Sequence, residues 1–330
     1  MTNILSPTKR IEDLDGIKFV LILFVIIGHF SEPFRYTSDL IGTIYTILYM
    51  FHMPLFIMLS GFFSKKITFK SLQKRILFLG ETYIVMSLSA IIVLSNGSIK
   101  WLFIPATSYW YLMSLIEWNC LHLILTKITT PPRNNVLKFL ISLGIALIGF
   151  VLLNKFEEAF SILKTLSFFP FFVMGTILTE NSILRIRARK KQLFLISFLI
   201  IFLCIIVSSR FVHELEWHRK GLCHLSTEFS ISIFSIMGSM FIVYLCSFCL
   251  AFAFLSLKKY PSILCKYGKY TLLFYVLQDF SWNISKHFEL SYFSQYMWCL
   301  LTVLLGIIIV ELHKDKIITH PFSTFKKILN

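Results

Sequence analysis

The sequence predicts an all-α integral membrane protein: about ten transmembrane helices, with both termini in the cytoplasm. Three observations predict it. The 330 residues are 56% hydrophobic and only 15% charged, against about 25% charge in an ordinary soluble domain. The apolar residues fall in continuous runs, each close to the roughly 20 residues that a helix needs to cross a bilayer. Lysine and arginine crowd into alternate breaks between those runs. Phe supplies 35 residues, Gly and Pro only 13 and 9, and mean hydropathy is +0.75. That balance excludes a soluble globular enzyme, a disordered chain and a disulfide-rich secreted module.

Taken in order, the runs lie at 17–35, 40–63, 76–95, 109–126, 136–153, 162–179, 193–209, 230–256, 270–285 and 296–313. The first carries His29 and no small-residue cleavage site follows it, so it reads as a retained span rather than a signal peptide. The second begins after the polar break at Thr37–Asp39, and the third after the basic stretch Lys65–Arg75. The fourth opens on Tyr109, Trp110 and Tyr111, residue types that favour a membrane interface. The fifth follows Pro131, Pro132 and Arg133. The sixth ends before Arg185–Lys191, a basic break that also starts the seventh. The eighth follows the long charged segment 210–229 with His213, His218 and His224, read as a solvated loop. The ninth follows Lys266 and Lys269, and the tenth precedes a basic tail. None of the runs alternates polar with apolar, which argues against a β-barrel. No linker divides the chain, so residues 1–330 read as one membrane domain.

With the N-terminus inside, 24 of the 32 Lys and Arg residues fall on the cytoplasmic side. Over short loops that bias fixes orientation and requires an even number of spans. It also accounts for the net charge of +15 without a nucleic-acid partner, and it leaves membrane lipid as the natural partner of the basic loops. The seven cysteines sit mostly in apolar runs, and none has the His spacing of a metal site. No metal is expected. The sequence carries no sign of oligomeric state.

Ionisable side chains inside spans are costly and point to function. Lys18 and His29 are eleven residues apart on the first span, which puts them on nearly one helix face. Asp15 is three residues before Lys18 and can pair with it. At 1.5 Å per residue His29 lies roughly 18 Å above the inner end of its run, and His52, on the antiparallel second run, about 16 Å above it. Glu117 and Asp279 reach about 13 Å into their own runs. One polar cavity near the midplane would accommodate all four. A buried neutral imidazole is a general base near neutral pH. The chain has neither the G-x-S-x-G elbow nor a phosphate-binding P-loop. Direct acyl or phosphoryl transfer to a hydroxyl fits this set, with basic inner loops to hold a phosphorylated donor. A transporter or flippase with a midplane polar site is the alternative. A non-catalytic membrane sensor, in which the histidines only pack, is a third.

Several motifs carry a family resemblance. Arg10 through Asp15 and Lys18, then Gly28 and His29, resemble the opening of the acyltransferase-3 membrane proteins. Phe51-His52-Met53-Pro54-Leu55-Phe56 with Leu59-Ser60-Gly61 resembles their second-span motif, in the branch described as fucose 4-O-acetylase-like. Tyr109–Leu112, Phe169–Phe172 with Gly175, and Tyr267–Leu272 with Tyr275 resemble later ones in the same order. The resemblance implies ten spans, acetyl-CoA as acyl donor, and O-acetylation of a carbohydrate acceptor, either a surface polysaccharide or its lipid-linked precursor, in a bacterial inner or cytoplasmic membrane. It implies His29 as the catalytic base, with His52 a second catalytic candidate. Lys18, Lys74 and Arg75 become candidates for donor binding, and Asp15, Trp110, Tyr111 and Glu117 for substrate binding. Members carry an Arg-x-x-Arg pair entering the third span. Here Arg75 is present and Phe78 stands at the second position. The ninth-span motif usually ends in histidine and here reads Gln278.

Overall fold

The structure is a computed structural model that describes residues 12–94, 102–105, 109–129, 134–152, 159–211, 233–257, 260–286, 288 and 290–319. The 210–229 histidine segment therefore lies almost wholly outside the described residues, as does Arg10. Those described form α-helices joined by short turns, and no strand occurs among them. The helices are α1 (Glu12–Ser31), α2 (Asp39–Ser64), α3 (Phe69–Leu94), α4 (Trp110–Ile128), α5 (Asn135–Leu152) and α6 (Ile162–Ile177). They continue with α7 (Glu180–Ala188), α8 (Lys190–Phe211), α9 (Ile233–Leu255), α10 (Ser262–Tyr267), α11 (Thr271–Lys286) and α12 (Tyr292–Thr319).

A helix covers each of the ten apolar runs, with α7 and α10 as additions in the basic breaks. Four segments are long and apolar enough to cross a membrane: Asp13–Phe34, Asp39–Ser64, Phe69–Ile92 and Tyr292–His313. The bent pair α6–α7 makes up to a fifth, and Asn135–Gly149 and Met240–Leu255 are shorter apolar helices. The outer faces are apolar too. On α8, Leu195 is 72% and Phe198 70% exposed, a surface that suits lipid rather than water. The chain is a membrane-embedded helical protein.

Local chemistry sets the helix ends. Ser38 caps α2 by accepting the Ile41 N–H at 3.5 Å, and Asp39 sits in its positive first turn. Thr179 caps α7 by accepting the Ser182 N–H at 3.1 Å, with Glu180 behind it and Arg185 and Arg187 at its negative end. The axes of α6 and α7 differ by 98°. The break falls at Leu178, whose backbone is extended, and α7 then carries few apolar residues of its own.

The tightest packing in the bundle is between α2 and α6. A Cβ at Gly61 would overlap the carbonyl of Phe172, and one at Gly175 would overlap the carbonyl of Met58. Small residues let membrane helices meet backbone to backbone, where dispersion contacts are densest. A third such contact joins α1 to the turn after α10, where Gly268 lies against the Asp15 carbonyl. These contacts place α1, α2 and α11 around a common interior. Phe19, Ile22 and Ile26 of α1 face Tyr267 and Phe274 there in one buried cluster.

Candidate functional site

A cavity of about 280 Å³ lies between α1, α2, α3, α4 and α11. Its polar wall is Lys18, Ser60, Ser64, Arg75 and Tyr111, and Phe56, Leu79, Leu112 and Tyr275 supply apolar surface. Arg75 is held on three sides. It donates to Ser64 Oγ at 2.7 Å, Asn119 Oδ1 at 3.2 Å and the Phe63 carbonyl at 3.3 Å. Lys18 pairs with buried Asp15 at 2.7 Å and lies 4.9 Å over the Phe63 ring. Ser60 donates to the Phe56 carbonyl at 3.0 Å, so at 2.6 Å the Tyr111 hydroxyl is the donor to Ser60. Two cations against one buried carboxylate leave the cavity wall positive. It suits a ligand with an anionic head and a slender neutral arm.

Just beyond the helix end, Lys65 closes α2 with its ammonium 3.7 Å over the Phe62 ring. Burial pushes its pKa down to about 8, partly offset by Glu180.

His29 sits in the last turn of α1, about 16 Å along the helix from Lys18. Its Nδ1 is 3.9 Å from Glu32 Oε2, and the other oxygen of Glu32 accepts from Arg35 at 3.2 Å. The ring lies 5.5 Å from that of Trp282 on α11. Gly28 beside it packs closely, and a Cβ there would stand 3.0 Å from the Tyr49 ring. Tyr49 in turn meets His52 edge-on at 4.7 Å. His52 is 1% exposed, and its Nδ1 bonds the Leu48 carbonyl. A carbonyl only accepts, so Nδ1 carries the proton and Nε2 keeps a lone pair.

The cavity and the histidines are joined by one face of α11. Tyr275, Gln278, Asp279, Trp282 and Asn283 follow at i, i+3, i+4, i+7 and i+8, and none is more than 5% exposed. Tyr275 lines the cavity and Trp282 touches His29. Seven residues separate them, about 10 Å of helix. On the same face Asn283 donates to Asp279 at 2.9 Å and to the Tyr109 hydroxyl at 3.2 Å, and Tyr109 also hydrogen-bonds Asp279.

The residues singled out in the sequence thus divide. Lys18, Arg75 and Tyr111 meet in the cavity, with Asp15 behind Lys18. His29 and His52 lie one level further along α1, with Tyr49 between Gly28 and His52. Lys74, one position before Arg75 on α3 and so turned about 100° from it, is exposed and does not line the cavity. Trp110 stacks on Phe168 at 5.5 Å with Lys164 5.7 Å over its ring. Glu117 accepts from Thr165 at 2.5 Å, and Thr165 also bonds Ser114 at 2.6 Å, which ties α4 to α6. Asp279 belongs to the α11 face rather than to a cavity shared with Glu117. The sequence assigned no site role to Ser64, Asn119, Trp282 or Asn283, and marked Ser60 and Tyr109 only as members of motifs. The i, i+4 pair Ser60 and Ser64 and the helical spacing of 275–283 were the signals available.

A family model described as an acyltransferase domain, of the acyltransferase-3 type, matches residues 11–312. No curated protein and no solved structure matches the chain.

Proposed function

The chain belongs to the acyltransferase-3 family of membrane acyltransferases, and from that premise we propose that it is an O-acetyltransferase using acetyl-CoA to acetylate a carbohydrate hydroxyl. The acceptor is a surface polysaccharide or its lipid-linked precursor. The enzyme works as a multi-pass protein of a bacterial cytoplasmic membrane with both termini inside. The fucose 4-O-acetylase-like motif in α2 supports a sugar acceptor.

The observation that carries the reading is the continuous buried face of α11, from the positively lined cavity to His29. A cavity of about 280 Å³ is at the small end for ligand sites, which suits the narrow arm of CoA rather than its nucleotide. Lys18 and Arg75 would hold anionic groups of the donor, and bound acetyl-CoA supplies an activated acyl carbonyl. His29 takes the proton of the acceptor hydroxyl at Nε2, because Nδ1 faces Glu32. Trp282 covers one side of the imidazole and excludes water. His52 offers a second lone pair nearby for orienting the hydroxyl.

The test is label transfer from radiolabelled acetyl-CoA to a glycan extract by the purified protein in nanodiscs. Transfer by wild type and none by folded His29→Ala is expected. Transfer that persists in His29→Ala overturns the role of His29. Absence of CoA turnover by the folded wild type overturns the enzyme reading in favour of a transporter.

A further inference from the structure

A second cavity, of about 510 Å³, lies away from the acyl-transfer path, at the junction of α7, α8 and α9. It is lined by Arg185, Ile186, Ala188, Arg189, Leu193 and Phe252. Arg185 and Arg189 are one helical turn apart, so both guanidinium groups serve one face. Among the described residues neither has an acidic partner. The nearby acids are engaged elsewhere: Asp13 pairs with Arg187 at 3.0 Å, and Glu180 interacts with Lys65. The rest of the lining is apolar and continues onto α8, where Phe194, Leu195, Phe198 and Leu199 are exposed. The cavity therefore joins a cationic rim to an apolar track. The 98° turn between α6 and α7 sets that rim across the end of the bundle.

A phosphate on an acyl-bearing molecule is the chemistry that satisfies both halves. Guanidinium groups bind phosphate oxygens in bidentate fashion, and an acyl chain can follow Leu193 and Phe252 onto the open face of α8. We infer that this cavity is a binding site for the headgroup of an anionic phospholipid, phosphatidylglycerol in character. Its position at the start of α8, in a basic segment, places it at the inner leaflet under the proposed orientation. The site is independent of the acetyl-transfer reading.

The experiment uses the full-length protein in detergent, with lipid binding followed by native mass spectrometry. The probes are dioleoyl phosphatidylglycerol, dioleoyl phosphatidylcholine and inorganic phosphate. Wild type should bind one phosphatidylglycerol in preference to phosphatidylcholine. Arg185→Gln with Arg189→Gln should lose about a hundredfold or more in that affinity, as two charge-assisted hydrogen bonds imply. Lys190→Gln with Lys191→Gln removes the same charge next to the cavity without altering its lining and should change binding little. Ala188→Trp should exclude the lipid while keeping both arginines. Equal losses in the arginine and lysine pairs would show only general charge attraction and overturn the site. So would undiminished binding in the arginine pair. Full displacement by millimolar inorganic phosphate would assign the cavity to free phosphate and overturn the lipid.

Discussion

The imidazole of His29 and the indole of Trp282 lie 5.5 Å apart, centre to centre, and tilt by 57° to each other. The indole therefore walls one side of the proposed base without stacking on it. Trp282→Ala should lower acetyl transfer by about a hundredfold, the scale set by small misplacement of a catalytic group. Trp282→Phe, which keeps a ring there, should lose less than tenfold. The measurement is the initial rate of CoA release, with acceptor present, for both variants. Equal rates for alanine and phenylalanine would show that the ring does not position His29.

Arg75 and Lys74 are adjacent in sequence, yet Arg75 lines the cavity and Lys74 is exposed outside it. Arg75→Gln removes a cation fixed in the cavity wall and should raise KM for acetyl-CoA by about ten- to a hundredfold, the worth of a charge-assisted bond. kcat should change little. Lys74→Gln should leave both constants within twofold. Steady-state kinetics of the two variants tests this. A KM increase in Lys74→Gln as large as that in Arg75→Gln would mean that the outer face of α3 binds the donor instead.

Gly61 and Gly175 admit no side chain, whereas a Cβ at Gly80 or Gly144 would meet nothing within 4 Å. Gly61→Ala or Gly175→Ala should therefore destabilise the protein by about 1–3 kcal/mol or more through overpacking. Gly80→Ala and Gly144→Ala should gain about 0.5–1 kcal/mol as glycines replaced within helices. Thermal unfolding of the detergent-solubilised proteins gives the order. A stable Gly61→Ala would mean that α2 and α6 stand further apart.

Lys65 supplies a pH signature. Burial lowers its pKa from 10.5 to about 8 in the folded chain. Between those values the unfolded chain binds more protons at this position, so its contribution makes stability rise with pH across that window. Below about pH 8 both states are protonated and the contribution is flat. Lys65→Met should remove the rise, which unfolding of both proteins from pH 7 to 10.5 would show. An identical pH profile in the variant would mean that the ammonium is fully hydrated in the folded state.

Continuous apolar runs made much of the fold legible. Every apolar run carries a helix, because a lipid-facing segment must satisfy its backbone internally. The elbow at α6–α7 was not legible: a run of hydrophobicity ends at Leu178, but nothing in composition says that the next helix turns through 98°. In the site, the Lys18–Asp15 pair follows from spacing along one helix and was readable. Which of Lys74 and Arg75 faces inward depends on how α3 is rotated against α2 and α4, which local sequence does not fix. Counting depth grouped Glu117 with Asp279, and the two diverge because depth says nothing about azimuth. The polar face of α11 was written in the sequence at helical intervals and was missed because Gln278 was weighed as a lost histidine.

Backbone contact at Gly61 and Gly175 leaves no side-chain layer between α2 and α6 in which slippage could occur. Sliding of one helix past the other is therefore costly, and His52 lies on α2. His29 and Trp282 belong to α1 and α11, and at this level those helices meet ring to ring. Under the proposed function, an acceptor reaching His29 would displace α1 or α11 against that pair. The separation between His29 and His52 becomes the coordinate of opening, a distance that paired spin labels on α1 and α2 would follow through a catalytic cycle.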